Sequence, residues 1–310
     1  MASKSQPPVA LIAGPTASGK SALALALAEQ VGGVIVNADS AQIYRDLPIL
    51  SAAPSMDELR RAEHRLYGVL DGSQACSAAD WAAMARREIA DVLGSDRLPI
   101  LVGGTGLYLR TLLQGIAPVP SIDPEVRRKV REASVEENRE RLIKLDPKSA
   151  DRLKPADRLR MSRALEVVLS TGKTLGEWQE HREGGIEDAV ALHPLILLPP
   201  REWLYRRCDK RFAAMVEHGA AEEVRTLLER KLSPDLPVMR GIGIREIAAW
   251  LSGQASREEA ISAGQQATRR YAKRQYTWFA HQPPPEWVRF REPLDGRTMA
   301  QALALLQPTP

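Results

Sequence analysis

The stretch Gly14-Pro15-Thr16-Ala17-Ser18-Gly19-Lys20-Ser21 satisfies G-x-x-x-x-G-K-[ST] in full, the pattern of a loop that cradles phosphate. Its glycines let the backbone curl so that successive N–H groups point inward, and a helix beginning at its end adds the positive pole of its dipole. Lys20 brings a mobile cation to the outer phosphate oxygens. The Ser21 hydroxyl can ligate a Mg²⁺ held by the same oxygens. The loop does not say which phosphate compound it holds. ATP hydrolysis, phosphoryl transfer to a small acceptor and departure of pyrophosphate from a non-nucleotide donor suit it equally.

A second set of candidates is Asn37-Ala38-Asp39-Ser40-Ala41-Gln42. It follows an apolar run directly, so Asp39 and Ser40 are expected at the carboxyl edge of a sheet, where ligands of open α/β sheets sit and where the phosphate loop also opens. Asp39 is thereby placed to face the donor, although the same residue type there can cap a helix or contact Mg²⁺. Gln42 is of a type that pairs bidentately with an adenine edge. By itself it decides nothing.

The elements that must position these groups follow from the apolar runs. Val9 to Ala13 ends in the Gly-rich turn, and an Ala/Leu-rich helix from Gly19 to Val31 stops at Gly32-Gly33. Val34 to Ala38 and Pro99 to Val102 are further runs, continuous enough for buried parallel strands, and a helix through Leu107 to Leu113 follows the last. Such alternation predicts an α/β fold: a P-loop NTPase-like core with a mainly parallel sheet. Pro118, Pro120 and Pro124 mark a connector into a charge-rich helical stretch reaching about Gly185, and Leu192 to Leu198 returns to the sheet. The expected organisation is 1–117 as the first part of the core, 118–189 as an all-helical insertion, and 190–310 as the return with C-terminal helices. Leu204, Cys208, Phe212 and Met215 form a core stripe on one helix, for which Gly219 is a stop. The Pro-rich tail from Pro283 is expected to be loosely held.

Composition narrows the function classes. The chain has 310 residues, 44% hydrophobic and 26% charged, enough for a large core. No membrane-length apolar segment and no signal peptide are found, so a cytoplasmic protein is expected. Two cysteines, Cys76 and Cys208, lie far apart and are read as buried thiols. Five scattered histidines give no zinc-binding pattern. A net charge of +4 allows a polyanionic partner without requiring one. Basic residues cluster in Arg127 to Arg131, Arg152 to Arg163, Arg201 to Arg211 and Arg269 to Arg274, each more simply a solvated helix face.

Taken together, the motifs resemble the tRNA dimethylallyltransferases (tRNA isopentenyltransferases) from about Val9 to Phe279. The resemblance is carried by the phosphate loop; by Asn37 to Gln42 with Tyr44-Arg45; and by Leu101-Val102-Gly103-Gly104-Thr105-Gly106-Leu107-Tyr108. It continues in Arg163 to Val167 with Thr171-Gly172-Lys173, in Met239 to Gly243, and in Thr268 to Gln275 with Thr277-Trp278-Phe279. It implies transfer of a dimethylallyl group from dimethylallyl diphosphate to the exocyclic amine of the adenosine 3′ of the anticodon, with Mg²⁺ required. On that reading Gly14 to Ser21 hold the leaving diphosphate, Asp39 is the general base, and Lys20 and Thr16 stabilise the departing charge. The partner is a tRNA anticodon stem-loop, contacted by Asp39, Ser40, Ala41 and Gln42, by Thr105 and Arg127, by Leu159, Arg160, Met161, Ser162 and Arg163, and by Arg240, Gly241, Ile242, Gly243, Ile244 and Arg245. No membrane partner is implied and a monomer is expected. The chain departs from the family at Ala53, where a lysine is usual, at Glu63-His64-Arg65 in place of His-His-Leu, and at Ile244 in place of tyrosine. A P-loop kinase of a nucleoside or small metabolite shares the loop and the fold, and is the competing reading.

Overall fold

The computed structural model describes residues 6–306. In chain order, β1 (Pro8–Ala13), α1 (Lys20–Val31), β2 (Val34–Asn37), α2 (Met56–Arg61), β3 (Glu63–Arg65), α3 (Ala78–Gly94), β4 (Pro99–Gly103) and α4 (Gly106–Gln114) come first. Five helices follow: α5 (Pro124–Glu132), α6 (Val135–Leu145), α7 (Pro147–Arg152), α8 (Arg158–Thr171) and α9 (Leu175–Gln179). Then come β5 (Ala191–Leu197), α10 (Arg201–Glu217), α11 (Ala220–Glu229), α12 (Ile244–Leu251), α13 (Arg257–His281), β6 (Val288–Phe290) and α14 (Gly296–Ala304).

The strands form one parallel sheet in the order β3-β2-β4-β1-β5-β6. Parallel strands are covered on both faces, which is why β1 and β4 are almost wholly apolar and buried. One face packs Ile12, Ile35, Ile100 and Leu195 against Leu23 and Leu27 of α1. Gly32, in a left-handed conformation, ends α1 where expected. The core stripe Leu204, Cys208, Phe212 and Met215 is buried on α10.

The chain separates into two compact units. One is Leu113–Gly185 and the other is the remainder, so the helical unit starts and ends a few residues before 118 and 189. Its own core gathers Val130, Leu142, Met161, Leu165 and Val168. Ser134 and Thr174 cap α6 and α9 through reciprocal capping boxes.

Two expectations are corrected. From Pro283 to Leu306 the tail is not loosely held: β6 pairs with β5, and Ala302 and Leu306 are fully buried against the α1 layer, while residues 307–310 lie outside the described ones. A three-residue strand and a short helix leave too little periodicity to be seen in a Pro-rich context. Cys208 is buried but Cys76 is only half-buried. Glu63 to Arg65 form an edge strand whose arginine meets Glu63, Glu88 and Asp91, a charged edge of the kind that resists pairing with other chains.

Helices α10 and α13 pack so closely at Gly264 that an added Cβ would overlap the Phe212 ring. Gly264→Ala is expected to cost ~1–3 kcal/mol by overpacking. A thermal melt checks it; an unchanged melting temperature would show that the ring moves aside freely.

Candidate active site

The phosphate loop closes between β1 and α1 with Gly14 and Gly19 at φ 149° and 101°. Lys20 folds back and donates to Pro15 O at 2.8 Å. The Ser18 side chain is buried with its Oγ lacking a protein partner, while Ser21 stands exposed at the rim of a small cavity lined by Ala52, Glu58, His64 and Tyr67. Burial pulls the Lys20 ammonium down to about 8, against an upward pull from the charge of Asp39; Arg211 adds a further downward push.

Helix α10 supplies two residues that sequence reasoning passed over. Arg211 donates to Thr16 Oγ1, and Arg207, one turn earlier, donates to Ala17 O at 3.0 Å. They flank buried Cys208 on the face that covers the loop, next to Ala17, Leu204 and Ala272. Desolvation lowers the Arg211 pKa, opposed by the Cys208 and Asp39 charges. In sequence the pair looks like any basic helix face; its four-residue spacing astride an apolar stripe was the available sign.

Asp39 emerges from β2 as the topology requires. Asn37, buried, organises the exit. Its Oδ1 accepts Asp39 N–H at 2.8 Å, its amide donates to Asp39 O and Leu66 O, and its own carbonyl accepts from Trp81 Nε1 at 3.0 Å. Trp81 is stacked on Tyr108 at 4.7 Å, so the exit is backed by rigid aromatic surface. The Asp39 carboxylate is half-exposed. Oδ1 accepts Ala41 N–H at 2.9 Å, a local turn, and among the described residues Asp39 has no ion pair. Its negative charge raises the pKa values of Tyr67 and Tyr271, although burial is the larger cause in both, and it also acts on Lys20 and Arg211. The carboxylate therefore lies near enough to the cradle for its charge to act on Lys20 and Arg211.

Thr105, on the turn after β4, lies against the same exit: its Oγ1 accepts Ser40 N–H at 3.0 Å and donates to Ser40 Oγ at 3.3 Å. Gln42 is engaged differently from the sequence reading. Its Nε2 donates to Ser51 O and Ala52 O, at 3.1 and 2.6 Å, so both amide hydrogens are spent and bidentate pairing with adenine is closed to it. The loop they close is pinned to α11, where the Glu223 carboxylate accepts Ile49 N–H and Leu50 N–H at 2.6 and 2.9 Å. Arg230 grips it again through Asp46, and reaches Asp71 at 2.6 Å.

The Arg240 to Arg245 segment packs beside this loop, since a Cβ on Gly243 would meet Leu50 Cδ1 at 3.0 Å. Arg245 is exposed and Arg240 is paired with Asp235, whereas Ile244 is buried. In the helical unit Arg127, Leu159, Arg160 and Arg163 are exposed, but Met161 and Ser162 face its core. Met161, Ser162 and Ile244 thus present no exposed side chain to a ligand. On α13, Arg269 is held by Asp209 at 2.5 Å, Arg274 lies over the Tyr271 ring, and Arg270, Lys273 and Arg274 are exposed.

No described helix is long and apolar enough to cross a membrane, and no group of three or more metal-ligating side chains occurs among the described residues.

Comparison with known proteins agrees with this geometry. Residues 42–282 match the family model described as IPP transferase. The tRNA dimethylallyltransferases of Erythrobacter litoralis and Sphingopyxis alaskensis are each 61% identical, over 92% of this chain and over 91% and 94% of theirs. Among solved structures, the tRNA isopentenylpyrophosphate transferase of Bacillus halodurans superposes with a TM-score of 0.70 at 30% identity, covering 96% of this chain and 95% of that one. A eukaryotic dimethylallyltransferase captured acting on tRNA gives 0.77 at 29% identity, over 88% and 70%. With a P-loop core whose cations lie near the Asp39 carboxylate at one sheet edge, and relatives alike along nearly its whole length, the chain belongs to the tRNA dimethylallyltransferase (IPP transferase) family.

Proposed function

We propose that this chain, a monomer working in the cytoplasm, transfers the dimethylallyl group of dimethylallyl diphosphate to N6 of the adenosine 3′ of the tRNA anticodon. The observation that carries the reading is the half-exposed Asp39 carboxylate in the cleft of Lys20 and Arg211. An exocyclic adenine amine is a weak nucleophile because its lone pair is delocalised into the ring. Asp39 takes one N6 proton as the N6–carbon bond forms and the carbon–oxygen bond to diphosphate breaks. The leaving electron pair stays on the diphosphate. Phosphate-loop amides, Lys20, Thr16 and Arg211 surround that charge in a desolvated cleft, where fixed donors act most strongly.

Ser21, exposed at the start of α1, fits a Mg²⁺ that arrives with the diphosphate, since such ions keep phosphate and water ligands and need few from protein. Bound there, the ion would supply further neutralisation of the leaving group. An anticodon-loop adenine must leave its stack to enter the cleft. Thr105 and Ser40, beside Asp39, and the Arg240 to Arg245 segment are assigned to that entry, and the exposed Arg127, Arg160 and Arg163 of the helical unit to RNA phosphates.

Mass spectrometry of tRNA nucleosides after incubation with purified protein and dimethylallyl diphosphate is expected to find N6-dimethylallyladenosine. ATP hydrolysis without prenyl transfer would instead favour a kinase. Asp39→Ala is expected to bind tRNA normally and lose ~10²–10⁴ in turnover; undiminished turnover removes Asp39 as the base.

The depressed Lys20 pKa gives a second expectation. Free enzyme loses the ammonium charge as pH rises past about 8, so kcat/KM for the donor falls there, because that ratio reports groups of the free enzyme. Bound diphosphate favours the charged form, so kcat falls less. A kcat/KM profile flat from about pH 7 to about pH 9.5 contradicts this role for Lys20.

tRNA affinity should weaken steeply with added salt while donor affinity weakens less, as multiple phosphate contacts dictate. Equal slopes in a titration would exclude a basic RNA-binding surface.

A further inference from the structure

Gln275, buried on α13, divides its amide between two loops. Oε1 accepts Thr16 N–H at 2.8 Å and Nε2 donates to Gly104 O at 2.8 Å. Thr16 belongs to the donor cradle. Gly104 directly precedes Thr105, whose hydroxyl accepts Ser40 N–H and so reaches the Asp39 exit. A planar primary amide of this length can accept from one loop and donate to the other at once; hydroxyl, carboxylate and ammonium side chains lack that combination in fixed geometry.

The fit leaves no slack. A Cβ on Gly104 would collide with the Gln275 amide, and one on Gly106 would strike the Trp278 ring, one turn further along α13. The same helix therefore sits against both sides of the cleft. Because Thr16 N–H is spent on Gln275, it is not among the amides offered to diphosphate.

We infer that Gln275 is a positioning residue for group transfer, setting the separation between the loop that holds the donor and the loop that borders the acceptor amine. It acts through Thr16 and Gly104 rather than on the reacting atoms, and it rests on the transfer reading above. Reacting atoms must come within ~3–3.5 Å, and a misplacement of ~1 Å costs on the order of 100-fold in rate. A device that holds two loops in register should therefore show itself in turnover before it shows in binding.

Gln275→Met keeps the length but leaves Thr16 N–H and Gly104 O unpartnered. The expected result is a kcat lower by on the order of 100-fold, with dissociation constants for pyrophosphate and for tRNA within ~3-fold of wild type. Gln275→Glu supplies a second reading, independent of whether the methionine variant folds well. A neutral carboxylic acid can accept from Thr16 and donate to Gly104, whereas the carboxylate cannot donate, so kcat relative to wild type should recover as pH is lowered. Two results overturn the inference: a kcat unchanged in Gln275→Met, or a loss shared equally by affinity, melting temperature and kcat with no recovery of Gln275→Glu at low pH. Wild type is assayed in parallel. If it forms no dimethylallyladenosine, the functional reading falls and takes the inference with it; if it forms the product while Gln275→Met keeps its kcat, the inference alone fails.

Discussion

The site is organised around an unsatisfied electrostatic demand. Lys20 and Arg211 are both desolvated, Lys20 is pushed further down by the Arg211 charge and Arg211 by that of Arg207, and the carboxylate acting on both is Asp39. Arg65 and Arg230 are treated differently: Arg65 meets three carboxylates, and Arg230 bridges Asp46 and Asp71. The contrast has a direction. Two cations facing one carboxylate leave a positive excess that a diphosphate relieves on entering, so the field that stabilises the departing charge exists before the substrate arrives.

That arrangement depends on the polar groups that hold the Asp39 turn being matched. Asn37 uses its side chain to hold both ends of the turn carrying Asp39, and Trp81 fixes its backbone from below. Buried polar networks of this kind restrict a loop to one conformation when every member is paired. The carboxylate itself keeps a single local bond, to Ala41 N–H. Rigidity is thus assigned to the support and chemical freedom to the tip.

Much of this was legible in the sequence because it is local. The phosphate loop, the strands β1, β2 and β4 and the helical insertion announce themselves through glycine spacing, continuous apolar runs and charge-rich helical texture. The position of Asp39 at the sheet edge followed from the end of one such run. What was not legible joins residues far apart in the chain. Arg211 meets Thr16 and Gln275 meets Gly104 only because α10 and α13 cross the open edge of the sheet. Likewise β3 and β6 are three residues each, too short for a period, and are strands only because a longer neighbour offers them a ladder.

The strand β6 and helix α14 bring the late part of the chain back behind the phosphate loop. Leu294 lies so near Gly19 that an added methyl there would sit 2.9 Å from its Cδ1, and Ala302 and Leu306 cover α1. A growing polypeptide that has not reached these residues has an uncovered first helix and an unpaired edge on β5. Competence to grip the donor therefore waits on residues far downstream of the motif, and a chain cut short before them carries its phosphate motif without the backing that shapes it.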